Sequence, residues 1–186
     1  MAVLILVDVQ QAFDDPAWGA RNNPQAEANI ARLLAAWREA ARPIIHVHHR
    51  SRNPQGFFHE GKPGARVKPE AAPLPGEALL FKSVNSCFIG TDLLERLHAL
   101  EARELVLVGI TTDHCVSTTA RMAANYGFDT TVVSDATATF ERVGPDGQRF
   151  TAQQMHDAAL ASLHGEFARV VTTGQVVQNL GRTPNG

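Results

Sequence analysis

Two cysteines, Cys87 and Cys115, are all that the 186 residues contain, so there is no disulfide framework, and a reducing compartment would keep both as thiols. Basic residues are no more plentiful than acidic ones: 17 Lys and Arg against 19 Asp and Glu leave a formal net charge of −2. That balance excludes the cationic surface a phosphate backbone or an anionic membrane would require, and no nucleic-acid partner is expected. No run approaches the roughly 18 apolar residues of a membrane span. The apolar opening, Ala2 to Val7, has no basic segment ahead of it and is too short for a signal-peptide core, so a cytoplasmic protein is expected. Internal repeats, low-complexity tracts and a glycine-rich phosphate loop are also missing.

What is there suffices for one core. At 44% hydrophobic and 19% charged residues, the chain is expected to form a single domain over 1–186. Short apolar, β-branched runs near 2–7, 43–49, 79–82, 104–110, 129–134 and 168–172 alternate with segments of helical period. The runs do not alternate in polarity, which suits strands buried on both faces. The expected fold class is α/β, with three α/β/α layers around a six-stranded, mostly parallel sheet.

The helical segments carry their own punctuation. Asn23-Pro24 supplies a cap and a first-turn proline for a helix whose Ile30, Leu33, Leu34 and Trp37 share a face. Leu93, Leu94, Leu97 and Leu100 form a second stripe. Thr151 and Gln154 spell a capping box, with Met155, Ala158, Ala159, Ser162 and Leu163 on the buried face and Gly165 as terminator. From about Arg50 to Glu77 the chain is rich in Pro, Gly, Arg and Lys without periodicity, and such a loop reads as a lid or a subunit contact.

In an open parallel sheet, ligands bind beyond the carboxyl ends of the strands. The residues placed there are Asp8 and Gln10, His48 and His49, Lys82, Thr111 to Cys115, and Asp135. Cys115 opens a helix expected to run to about Tyr126, where the helix dipole and a nearby ammonium would depress its pKa. Taken alone it reads equally well as a small buried hydrophobe. Asp8 ends an apolar strand, where a carboxylate is costly unless paired. It could accept a thiol proton or simply cap the next turn. Lys82 could hold thiolate and carboxylate together or snorkel to the surface.

These residues resemble a known family. Asp8-Val9-Gln10, Phe81-Lys82-Ser83 and Gly109-Ile110-Thr111-Thr112-Asp113-His114-Cys115-Val116 are similar to the motifs of the isochorismatase-like cysteine hydrolases, a group that includes nicotinamidases, carbamoylsarcosine amidohydrolases and ureidoacrylate amidohydrolases. The resemblance implies Asp8 as general base, Lys82 as charge partner and Cys115 as nucleophile. It also implies a cis peptide at Ile110–Thr111 and an oxyanion hole from the Thr111 and Cys115 amides. The implied reaction is hydrolysis of a C–N bond in a small molecule through a thioester, with no redox cofactor or nucleotide. Isochorismate-type vinyl-ether cleavage shares the scaffold but does not need a thiol. A catalytically silent binding protein on the same fold is the third reading.

Nicotinamidases pair such a triad with a metal held by Asp-x-His and a further histidine. Here His46-Val47-His48-His49 lacks the aspartate, and His46 and His48 point to one side of the strand while His49 points to the other. His59 could add a ligand, but no metal is expected, and nicotinamide is not the favoured substrate. Gln10, Phe13, Trp18, His48, Asn85, Phe88 and Ile110 are candidates to line the substrate pocket. Ser86 could join them, and Phe57-Phe58-His59 could close over a ligand or another subunit. Cys87 reads as inert core, Asp135 as the cap of the turn after its strand, and His164 as a packing or interface residue. A homo-oligomer, dimer or tetramer, is expected from the family and from the apolar tip of the long loop.

Overall fold

The computed structural model describes residues 1–180; residues 181–186, the end of the span read as one domain, lie outside the described residues. Six strands form one sheet: β1 (Ala2–Val7), β2 (Ile44–His49), β3 (Ala78–Lys82), β4 (Glu104–Ile110), β5 (Asp129–Ala138) and β8 (Arg169–Val171). Their order is β3-β2-β1-β4-β5-β8 and every pairing is parallel. The sheet was expected to be mostly parallel; it is wholly so. β1 is buried along its whole length, as a strand covered on both faces must be.

The helices explain that burial. On one face, α1 (Ala26–Glu39) contributes Ile30, Leu33, Leu34 and Trp37, and α5 (Thr173–Leu180) contributes Val176, to a core with Leu4, Leu6, Val106 and Val108. On the other, α2 (Leu93–Ala99), α3 (Ser117–Asn125) and α4 (Ala152–Leu163) pack Leu93, Leu97, Ala120, Ala123, Leu160 and Leu163 against Val3, Ile5, Val7 and Leu107. Full burial of each leucine, isoleucine or valine side chain is worth about 1.5–3 kcal/mol, so the two apolar layers, rather than the helices' own propensities, hold the sheet.

Several sequence expectations are corrected. α1 begins at Ala26, not at Pro24, and Asn23 is not its side-chain cap. The Asn23 amide instead donates to the carbonyls of Ser134 and Thr137, tying the helix entrance to β5. The capping box of α4 is present, with Gly165 following in a left-handed conformation, but its buried face is Ala152, His156, Leu160 and Leu163. Ala158 and Ser162 face solvent, because the stripe was phased one residue away from the true a/d positions. Asp135 lies inside β5, which runs on to Ala138, and it caps α5 by accepting from the Thr173 amide and hydroxyl. That helix, and the hairpin of β6 (Arg142–Val143) and β7 (Arg149–Phe150), have no counterpart in the sequence reading.

Gly109 fixes how closely β1 and β4 approach. Its φ is +127°, and a Cβ there would stand 2.0 Å from the Val7 carbonyl oxygen. Gly109→Ala is expected to cost at least about 2–3 kcal/mol, since strand separation and backbone strain add. Gly127 also has a positive φ, but nothing lies within 4 Å of its Cβ position, so Gly127→Ala should cost only about 1 kcal/mol. Paired urea titrations check the contrast.

Candidate active site

The strand order reverses between β1 and β4, and a crevice at such a switch point is where open α/β sheets bind ligands. Asp8 follows β1 directly. Its φ of 53° is left-handed, a conformation aspartate tolerates better than bulkier residues, and its amide donates to the Val47 carbonyl at 2.8 Å. Lys82 is the last residue of β3 and reaches past the end of β2. Its Nζ donates to Asp8 Oδ2 at 2.6 Å and to the Val84 carbonyl at 3.1 Å, and lies 3.4 Å from His49 Nδ1. The Lys82 side chain is 0% exposed, so it does not snorkel.

Cys115 comes from the other side of the crevice. It does not open an α-helix: residues Thr112–Val116 form a π turn, and α3 starts only at Ser117. Such wide turns recur at functional sites because they re-aim side chains. Cys115 is half-buried against the core and interacts with both Asp8 and Lys82. The Ile110–Thr111 peptide just before the turn is cis. Asp113 Oδ1 accepts from the Thr139 hydroxyl, and Arg142 Nη2 lies 3.3 Å from Asp113 Oδ2. Behind the turn, the Thr112 hydroxyl and His156 Nδ1 are 2.9 Å apart. Sequence reasoning missed this brace, since Thr139, Arg142 and His156 sit outside any motif.

The electrostatics correct one expectation. Burial, and then the negative charge of Asp8, push the Cys115 thiol up, against the pull of Lys82. The expected depression fails because desolvation of a thiolate outweighs one ammonium that Asp8 already neutralises. The resting group is therefore the thiol. Burial likewise raises Asp8 above the ordinary carboxylate range, and Lys82 offsets only part of that. Burial works against the charge of Lys82 too, yet Asp8 holds its pKa above the usual lysine value. Asp8 Oδ1 is buried, with no hydrogen-bond partner among the described residues.

The remaining candidates divide. Phe13 and Trp18 stand together with Phe58 and with Phe140, which sequence reasoning did not single out; Phe13 lies 5.0 Å from Phe58 and 5.8 Å from Phe140 between ring centroids. Ile110 is sealed beneath this cluster. Gln10 is buried with its amide wholly engaged by backbone: Nε2 donates to the His49 and Ala65 carbonyls, and Oε1 accepts from the His49 amide. It pins the long loop to the strand ends. His48 turns away from the crevice toward His46 and Phe81, and strand alternation gives its place to His49, whose ring meets Lys82 and Phe58. Phe88 is core, packed between Tyr126 and Phe128. Asn85 is exposed on the surface turn after Lys82, and Ser86 is buried with its hydroxyl on Met122 Sδ. Cys87 is fully buried, its thiol pushed up to about 12 by that burial. His164 accepts from the Val170 amide.

The chain matches the Isochorismatase domain over residues 2–175. It belongs to the isochorismatase family. The family protein YrdC of Bacillus subtilis is 45% identical over 180 residues, covering 97% of this chain and 96% of that relative. A solved structure of an isochorismatase-family protein from Chromobacterium violaceum superposes with a TM-score of 0.95 at 43% identity, over 97% of this chain and 93% of the other. A more distant relative, the maleamate amidohydrolase of Pseudomonas putida, is 28% identical over 193 residues, 95% of this chain and 85% of its own length. Membership makes the chain a hydrolase with an isochorismatase-like α/β fold.

This isochorismatase-family site gathers no metal ligands: among the described residues, no three His, Cys, Asp or Glu side chains could hold an ion together. His46 is buried with Nε2 2.8 Å from Glu77 Oε2, on the face opposite Lys82. Nor is any described helix long and apolar enough to cross a membrane.

The buried histidines set a pH dependence. Burial lowers the pKa values of His46 and His156, and lowers those of His48 and His49 to about 4. Below the unfolded value of about 6.5 the unfolded chain binds protons that the folded chain refuses, so stability present at neutral pH is lost as pH falls toward 4. Each such histidine contributes a slope of up to about 1.4 kcal/mol per pH unit in that window. Thermal melts from pH 7.5 to 4.5 should show the decline, and His48→Gln should make it shallower.

Proposed function

We propose that this isochorismatase-family chain is a cysteine amidohydrolase acting on a small carboxamide, carbamoyl or ureido compound. The observation that carries the reading is the fully buried Lys82–Asp8 pair at 2.6 Å with the half-buried Cys115 thiol beside it. A carboxylate with a raised pKa and an unpartnered oxygen is suited to take a proton and return it. Asp8 removes the Cys115 proton as the sulfur attacks the carbonyl carbon, and the oxygen becomes an oxyanion held by the Thr111 and Cys115 amides. Asp8 then gives the proton to the departing nitrogen, the C–N bond breaks, and a thioester remains on Cys115. Water, losing a proton to Asp8, attacks the thioester; the acid leaves and the proton returns to sulfur. Lys82 keeps Asp8 oriented and its charge balanced between these steps.

Vinyl-ether hydrolysis on this scaffold would leave Cys115 without a task, so the thiol favours the amide branch. The test is a panel of carboxamide, carbamoyl and ureido compounds read by ammonia or amine release, with mass spectrometry of the quenched enzyme. Turnover with an acyl adduct on Cys115 is expected for the best substrate. Turnover that persists with Cys115 alkylated would overturn the reading.

A further inference from the structure

The turn that carries Cys115 is held from behind by a histidine that takes no part in the proposed proton transfers. His156 lies on α4, 3% exposed, and its Nδ1 is 2.9 Å from the hydroxyl of the fully buried Thr112. Which of the two gives the proton follows from the other ring nitrogen. Asn23 Nδ2 lies 3.4 Å from Nε2, but its two protons go to the Ser134 and Thr137 carbonyls, at 2.9 and 2.8 Å. An unprotonated Nε2 would therefore be a buried acceptor facing no donor, so Nε2 keeps the ring proton and directs it at the Ser134 backbone. Burial lowers the pKa of the ring, against Asp157 and Asp113, which favour its charge, so near pH 7 it carries one proton only. Nδ1 is then the acceptor and the Thr112 hydroxyl the donor.

Thr112 is tied at both ends. Its carbonyl accepts from the Ser117 amide where α3 begins, and its hydroxyl reaches back to α4. It stands between Thr111 and Cys115 along the turn, the two residues whose amides are assigned to the oxyanion. The next residue, Asp113, accepts from the Thr139 hydroxyl, and the Thr139 amide in turn donates to Asn22 Oδ1 at 2.8 Å. Asn22 and Asn23 thus fix the end of β5 on which both supports of the turn lean.

We infer that His156 is a positioning residue of the hydrolysis: by accepting from the Thr112 hydroxyl, it fixes the turn in which the Thr111 and Cys115 amides face one oxygen. The inference rests on the amidohydrolase reading and adds to it a residue that never meets the substrate. Oxyanion donors work because they are aimed before the charge develops, and a misplacement of about 1 Å can cost about 10²-fold in rate. Packing and hydrogen bonding make opposite predictions for two substitutions. Leucine is close to histidine in bulk but accepts nothing from Thr112. Asparagine is smaller and polar, yet its Oδ1 can stand where Nδ1 stood.

The test compares the full-length native enzyme with His156→Leu and His156→Asn in two readouts. The first is turnover of whichever panel compound the native enzyme hydrolyses fastest; the second, which needs no substrate, is amide hydrogen exchange over residues 111–116. His156→Leu should lower kcat about 10–100-fold with little change in KM, and should speed exchange in the turn about 10-fold, the scale of one hydrogen bond, while exchange in β1 stays as it was. His156→Asn should recover most of both. Should His156→Leu not fold, Thr112→Val removes the donor at nearly the same shape and should show the same losses. A leucine or valine variant with native kcat overturns the inference, and so does an asparagine variant no better than leucine, since the ring is then only filling space. If the native enzyme hydrolyses no panel compound, the amidohydrolase reading falls by itself. The exchange comparison still decides the brace: unchanged exchange in 111–116 overturns it, and faster exchange that asparagine restores leaves it standing.

Discussion

Replacing Cys115 with alanine is expected to abolish hydrolysis, lowering kcat by on the order of 10⁴-fold or more, the loss seen when a nucleophile is removed from a unit that works together. The fold should survive. Cys115 packs against the core from a half-buried position, so the lost sulfur costs about 1 kcal/mol of apolar contact and the melting curve shifts by only a few degrees. Cys115→Ser is the sharper variant. Its hydroxyl nearly preserves the shape, but an alcohol is far harder to deprotonate than a thiol, and Asp8 has only a modest base to offer. Activity should fall almost as far as in the alanine variant. If the serine enzyme turned over at a tenth of the native rate, the covalent route would be wrong and Cys115 would be a packing residue.

The raised thiol pKa changes what reactivity at Cys115 means. Were the helix start and Lys82 to stabilise a thiolate, the cysteine would alkylate quickly below neutral pH. With burial and Asp8 both opposing the thiolate, alkylation without substrate should be slow near pH 7 and accelerate as pH rises. A slow label is therefore no sign of a silent protein, because the proposed mechanism activates the sulfur only while Asp8 accepts its proton.

The strand-end residues were legible because their signal is local and chemical. A carboxylate after an apolar run, a lysine closing another and a cysteine after a Gly-Ile-Thr turn are each anomalous where they stand, and parallel-sheet topology brings strand ends together. Phases and partners were less legible. α4 was placed on the wrong face because Ala and Ser blur its stripe, while the buried His156 marks the true one. His48 and His49 are adjacent in sequence and opposite in space, so a one-residue choice decides which meets Lys82. Phe140 joins Phe13 only because β5 continues to Ala138, four residues past the end that its composition suggests. Gln10 follows Asp8 closely enough to look like a substrate ligand, yet its three hydrogen bonds all go to backbone on other segments. No spacing rule reveals that.

The second large effect separates stability from catalysis at the buried pair. In Asp8→Asn, Lys82 loses its counter-charge and keeps only neutral acceptors, the new amide oxygen, the Val84 carbonyl and His49 Nδ1, inside a site where its side chain is 0% exposed. Breaking such a pair from one side costs about 3–5 kcal/mol because the surviving charge stays buried. Activity should fall with it, by about 10²–10⁴-fold, the usual contribution of a general base. Lys82→Met fails in the opposite sense: Asp8 then meets burial without its counter-ion, and its already raised pKa rises further. A carboxyl whose folded pKa exceeds its unfolded one is fully stabilised only below the unfolded value, so the Lys82→Met penalty should grow as pH increases from about 4. Asp8→Asn/Lys82→Met removes both charges, and denaturant midpoints should recover most of the lost stability while turnover stays at background. A double variant that remained as unstable as Asp8→Asn would mean that the pair holds the fold through packing, and that its charges are not what the site was built around.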